Sequence, residues 1–173
     1  MDFVELTEKE YQKFWENHPL KTFLSAPKIA KLREKSNWKS YFVGVKENKK
    51  VVAAALLLSH KRKFNVNEFY SPRGFLLDYN NKELLTFFVE KVKEFAKSKN
   101  GYILRIDPYV IYKQRDINGD IVEGGEDNHH VVEHLQSLGF KKVKTENMEQ
   151  VGWMFSLGLE GKTEEQILKE MKE

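Results

Sequence analysis

The 173-residue chain contains no cysteine, which excludes disulfides, thiolate nucleophiles and cysteine-ligated zinc. Its longest apolar run, VVAAALLL at 51–58, is far too short to span a membrane. The N-terminus MDFVELTEKEY carries acidic residues where a signal peptide needs basic ones, so the cytoplasm is the expected compartment. No HExxH spacing occurs, and the adjacent His129 and His130 cannot share a helix face, so no metal is expected. Net charge is only +3, a mild surplus that could assist phosphate binding. It lacks the concentrated basic face of a dedicated nucleic-acid protein, and DNA is not an expected partner. No internal repeat is found.

What the chain does have is enough apolar and aromatic surface, 40% and 13% of its residues, to bury a core in one domain over 1–173. FVEL reads as a short strand, and Thr7 with Glu10 makes a capping box ahead of Tyr11, Phe14 and Trp15 at helical spacing. A second, shorter helix runs from Pro27 to about Lys35, with Ile29 and Leu32 on one side. YFVGVK and VVAAALLL flank the turn ENKK, and VNEFY adds a third strand after the exposed turn HKRKFN, so residues 41–70 form an antiparallel meander. Residues 82–97 place Leu84, Leu85, Phe88, Val92, Phe95 and Ala96 on one stripe of a helix. YILRIDP is a strand ended by Pro108, and 112–128 is a long polar, Gly-rich loop. A helix over 129–138 stops at Gly139, and GWMFSLGL supplies a last strand. The order predicts an α+β (mixed α/β) fold, a central, largely antiparallel mixed sheet flanked by helices.

One segment between strand and helix stands out: FYSPRGFLLDYN, residues 69–80. Arg73 beside Gly74 allows a guanidinium and an unhindered backbone to approach a phosphate or carboxylate together, while Asp78 near a helix start can accept sugar hydroxyls or amides. The plainer alternative is a local Arg73–Asp78 ion pair that closes a turn. Arg105 and Asp107, alternate residues of one strand, read as a solvated edge pair. HKRK at 60–63 reads as a soluble turn, with tRNA contact as the lesser alternative.

The element order is similar to the N-acetyltransferase-like (GNAT) fold, and EHLQSLGFKK resembles that superfamily's characteristic ending. An acyl-CoA member should carry a Gly-rich loop whose backbone N–H groups face the pyrophosphate. Here YSPRGFLLDYNNKEL holds one glycine and Pro72 removes a donor, so acetyl-CoA is not an expected cofactor, and none other is. Tyr70, Pro72, Arg73, Gly74 and Asp78, together with LRIDPYV and the helix segment TFLSAPKIAKLREKSNW, resemble the Fem family of peptidoglycan bridge-forming peptidyltransferases. The resemblance covers nearly the whole chain. The family's second helix usually begins with Gln-Ser and an aromatic and carries a lysine one turn later that contacts the precursor's phosphates. The matching positions here are Ser25-Ala26, Ile29 and Arg33, which keeps the charge and changes its geometry.

The resemblance implies the precursor-binding half of an aminoacyltransferase that moves an amino acid from aminoacyl-tRNA to the stem peptide of a UDP-linked or lipid-linked cell-wall precursor, with peripheral membrane association. Arg33, Tyr70, Arg73 and Asp78 are the implied substrate-binding residues, converging on one groove. Family members hold two acyltransferase-like halves, and their chemistry depends on the second. This sequence is expected to be the first half of a longer enzyme and inactive alone, its terminal helix at 164–173 cut short. The alternatives are a CoA-dependent N-acetyltransferase and a non-catalytic binding module of the same fold.

Overall fold

A computed structural model describes residues 1–154 and 158–171. They divide into two compact units, Met1–Lys142 and Val143–Glu173.

In the first unit the chain runs β1 (Asp2–Glu5), α1 (Glu8–Asn17), α2 (Pro27–Glu34), β2 (Trp38–Glu47), β3 (Lys50–Lys61), β4 (Asn67–Ser71), α3 (Lys82–Ser98), β5 (Gly101–Ile106) and α4 (His129–Ser137). The strands lie in the order β1-β2-β3-β4-β5, which puts β3 at the centre. A central strand covered on both faces must be apolar throughout, and residues 53–58 are at most 1% exposed. Asn48 and Lys49 both take positive φ, 47° and 65°, the two-residue turn that matches the strands' twist and sets the β2–β3 register. Pairing is antiparallel from β1 to β4, then parallel between β4 and β5. A parallel pair requires a crossover, and α3 supplies it.

The two sheet faces carry separate cores. On one, α3 buries Leu84, Leu85, Phe88, Val89, Val92 and Ala96 against Val43, Val45, Leu57 and Phe69, and Val131 and Leu135 of α4 join them. On the other, Tyr11 and Ala30 meet Leu56, Leu58, Tyr70 and Leu76. Tyr11 donates its hydroxyl to the Ser25 carbonyl at 2.8 Å, which ties α1 to the entry of α2. The face that α2 buries is that of Pro27 and Ala30, whereas Leu32 is 57% exposed, a correction to the Ile29–Leu32 face read from spacing. A single small residue lets the helix lie close to the sheet. Helix α4 ends as expected: Gly139 at φ +89° allows its own amide to reach the Gln136 carbonyl and that of Phe140 to reach Leu135.

The second unit contains a short 3-10 turn, Thr145–Asn147, and the helix α5 (Glu164–Glu170), which begins with a Thr163–Gln166 capping box. The strand expected over GWMFSLGL does not form at Gly152–Met154, and residues 155–157 lie outside the described residues. No helix among the described residues is long and apolar enough to cross a membrane.

Candidate functional site

Strands β4 and β5 both point their carboxyl ends, Ser71 and Ile106, toward the same side of the sheet. Open sheets bind ligands outside such ends. The segment 72–81 leaves β4 there and is held by bonds within the turn and by bonds to β3 and to the end of β5. Ser71 donates its hydroxyl to the Gly74 carbonyl at 2.9 Å, and the Gly74 amide returns to the Ser71 carbonyl at 3.1 Å. Leu76 then exchanges both backbone bonds with Ala54, at 2.8 and 3.0 Å, so the segment continues beside β3 where β4 has ended. The Phe75 amide donates to the Tyr79 hydroxyl at 2.9 Å.

LRIDPYV closes on this turn from β5. The Tyr109 amide donates to the Arg73 carbonyl at 3.2 Å, and a Cβ on Gly74 would lie 2.7 Å from Pro108 Cα. The organising group is Asp107. Its Oδ1 accepts the Arg73 amide at 2.7 Å and its Oδ2 accepts the Tyr70 hydroxyl at 3.2 Å. Burial raises the Asp107 pKa above its ordinary value, while the Arg73 amide, the Tyr70 hydroxyl and the Arg73 charge oppose that shift. Arg73 itself takes φ +58°, uncommon for a residue with a side chain, and carries its guanidinium 5.4 Å from the centre of the Tyr109 ring.

Asp107 was not among the residues singled out for binding. The alternation of Arg105 and Asp107 suggests a shared strand face, yet β5 ends at Ile106, and the two side chains part. Arg105 pairs at 3.1 Å with the buried carboxylate of Glu68, which also holds Arg62 at 2.6 Å. The edge pair is thus corrected to two different sites. The available signal was an acid placed between a strand and a proline, directly after the strand's end.

Of the four residues singled out, Tyr70 and Arg73 are brought together through Asp107. Tyr70 is 6% exposed, and Arg73 is half-buried. Asp78 is exposed and its carboxylate accepts the Asn80 amide at 2.9 Å, shaping the turn that lets Asn81 cap α3 through the Leu84 amide. Arg33 lies exposed in the last turn of α2, a helix packed on the sheet face to which Tyr70 belongs. The backbone amides of Arg73, Gly74, Phe75 and Leu76 are all engaged, by Asp107, Ser71, Tyr79 and Ala54. Among the described residues, no group of three or more His, Asp or Glu is placed to hold a metal ion.

The model of the FemAB family matches residues 6–173. Aminoacyltransferase FemA of Staphylococcus epidermidis is 32% identical over 99% of this chain, which spans 42% of that protein. The crystal structure of FemX superposes with a TM-score of 0.67 at 29% identity, over 82% of this chain and 32% of that one. Glucosamine-6-phosphate N-acetyltransferase from Arabidopsis thaliana, at 14% identity and TM-score 0.52, covers 90% of this chain and 98% of its own, which shows the N-acetyltransferase-like fold alone.

Proposed function

We propose, since the chain belongs to the FemAB family, that it is the precursor-binding half of a peptidoglycan interpeptide-bridge aminoacyltransferase. In that reaction a stem-peptide amine attacks the ester carbon of an aminoacyl-tRNA. The C–N bond forms, the ester C–O bond to the tRNA breaks, and the amine proton passes to a base. The half described here holds the precursor and orients its amine, and orientation is a major part of the rate enhancement in such a two-substrate transfer.

The observation that carries this reading is the Tyr70–Asp107–Arg73 arrangement at the carboxyl ends of the parallel strands. Asp107 holds the backbone of Arg73, so the guanidinium projects from a fixed turn as a cation for the anionic sugar part of the precursor. Asp78 is an exposed acceptor for sugar hydroxyls, and Arg33 adds a second cation on the α2 side. Acetyl-CoA is not a cofactor in this reading, because the consecutive amides that would cradle a pyrophosphate already have partners, in the turn, on β3 and at Asp107.

Calorimetric titration with a UDP-linked muropeptide and with acetyl-CoA tests the proposal. Saturable binding of the muropeptide is expected, weakened by about 1.5 to 3 kcal/mol in Arg73→Ala. Micromolar affinity for acetyl-CoA, or undiminished muropeptide binding by the variant, would favour an N-acetyltransferase or a different groove.

A further inference from the structure

At the end of β4 opposite the Arg73 turn, the β3–β4 hairpin presents Phe64 to solvent, 95% exposed. The position is held, not frayed. The Arg62 amide closes the hairpin on the Val66 carbonyl at 2.8 Å, and Phe64 and Asn65 both take left-handed backbone, φ 61° and 59°. Two consecutive residues with side chains in that region cost free energy, and a fully solvated aromatic ring forgoes the stabilisation that burial would give.

The ring lies next to basic residues in sequence. Lys61, Arg62 and Lys63 precede it in sequence, and beside the hairpin lies a groove of about 320 Å³ whose lining includes Lys39, Lys61 and Lys99. Among the described residues no carboxylate pairs with Lys39, Lys61 or Lys63. Lys99 pairs with Glu5 at 3.9 Å, and Arg62 is held by the buried Glu68. Lys39 and Lys99 lie 5.1 and 5.8 Å from the centre of the Tyr41 ring, so that ring already has cations as neighbours.

We propose that this end of the molecule docks on an anionic lipid surface, with Phe64 entering the headgroup–acyl boundary and Lys39, Lys61, Lys63 and Lys99 meeting lipid phosphates. A lone apolar ring combined with a polybasic patch supplies the two weak signals that reversible membrane attachment needs. RNA is the competing polyanion. Its stacking platforms line the groove that tracks the backbone, whereas Phe64 is 95% exposed on the hairpin and outside the lining of the basic groove. Peripheral membrane association is what the family resemblance implies; the docking surface itself is argued from Phe64 and these lysines and does not depend on the precursor reading.

Flotation with vesicles of phosphatidylcholine, with and without phosphatidylglycerol, tests it. Binding is expected only with the anionic lipid, falling as salt rises. Phe64→Ala should lower the partition coefficient about tenfold, and the pair Lys61→Gln and Lys63→Gln by a further factor of about 30. Because the chain has no cysteine, Phe64→Cys can be labelled with an environment-sensitive dye, whose emission should shift to the blue on anionic vesicles alone. Failure to bind anionic vesicles, equal binding by Phe64→Ala, or an unshifted dye would overturn the proposal. So would RNA duplex binding that depends on these lysines while vesicles go unbound. Circular dichroism of the variants should match the parent, since all three side chains are exposed.

Discussion

Gly74 is the residue on which the candidate site closes. The sequence suggests that it leaves a backbone open to a ligand, and the structure gives it a different role. It sits at φ +73° with Pro108 Cα and the Tyr79 hydroxyl each 2.7 Å from where a Cβ would be. Gly74→Ala should therefore cost about 2 to 4 kcal/mol in denaturant unfolding, from left-handed strain plus a clash with backbone that cannot turn aside. Asp107 allows a second test. Its folded pKa is raised, chiefly by burial, above the ordinary 3.8. A raised acid favours the folded state while protonated, so its contribution is full below the unfolded value and is lost as pH rises through the folded one. Asparagine does not titrate in this range. The stability of Asp107→Asn relative to the parent should therefore improve from about pH 4 to neutrality, measured by urea midpoints; a flat difference would contradict the assignment. Neither residue's true role was legible in the sequence, because each depends on where β5 ends relative to a turn more than 30 positions earlier. Arg73's left-handed backbone was hidden for a related reason: glycine is the residue expected to supply that conformation, and Gly74 stands next to it.

At the level of elements, local signals that satisfy themselves within a few residues were the ones that could be read. Helix α1 starts as Thr7 and Glu10 require, with the Glu10 carboxylate accepting the Thr7 amide at 2.9 Å and Thr7 Oγ1 accepting the Glu10 amide at 3.2 Å. Thr7→Ala should cost about 1 kcal/mol of stability. Glu10 also reaches across to Lys46 on β2 at 2.6 Å, and that ammonium, followed by the Thr7 amide, lowers its pKa from 4.5 to about 2. A depressed acid stabilises the fold above its unfolded pKa and stops doing so as pH falls toward its folded value. Glu10→Gln should therefore be less stable than the parent at neutral pH, with the deficit closing between about pH 4.5 and pH 2 in chemical denaturation. The packing face of α2 was misread for the opposite reason. Ile29 and Leu32 are the larger side chains, but a helix that lies close to β2 and β3 turns its small Ala30 inward. GWMFSLGL has the composition of a strand, yet strand formation needs a partner edge as well as propensity, and Gly152–Met154 form none.

For the whole molecule, the element order indicated the fold, and the 69–80 segment together with LRIDPYV and TFLSAPKIAKLREKSNW indicated the family, because these patterns are spread along most of the chain. The chain spans 42% of the S. epidermidis relative that it matches. Acyl transfer from tRNA needs two large substrates held with the amine against the ester, a base for the amine proton and donors for the developing oxyanion. The Tyr70–Asp107–Arg73 arrangement offers a cation and a fixed turn. Its acid is engaged by Tyr70 and by the Arg73 amide, which leaves it poorly placed to take a proton from an incoming amine. The chain alone is therefore expected to bind the muropeptide without turnover. Supplied with charged tRNA and precursor, it should form no bridged product, while a version extended to the length of its relatives should. In the extended enzyme, Arg73→Ala should raise the KM for the muropeptide by about one to two orders of magnitude with little change in the KM for tRNA, the signature of a lost precursor contact. Transfer by the 173-residue chain at a rate comparable to the extended enzyme would place the chemistry in this half, and the search for its base would then begin at Asp107.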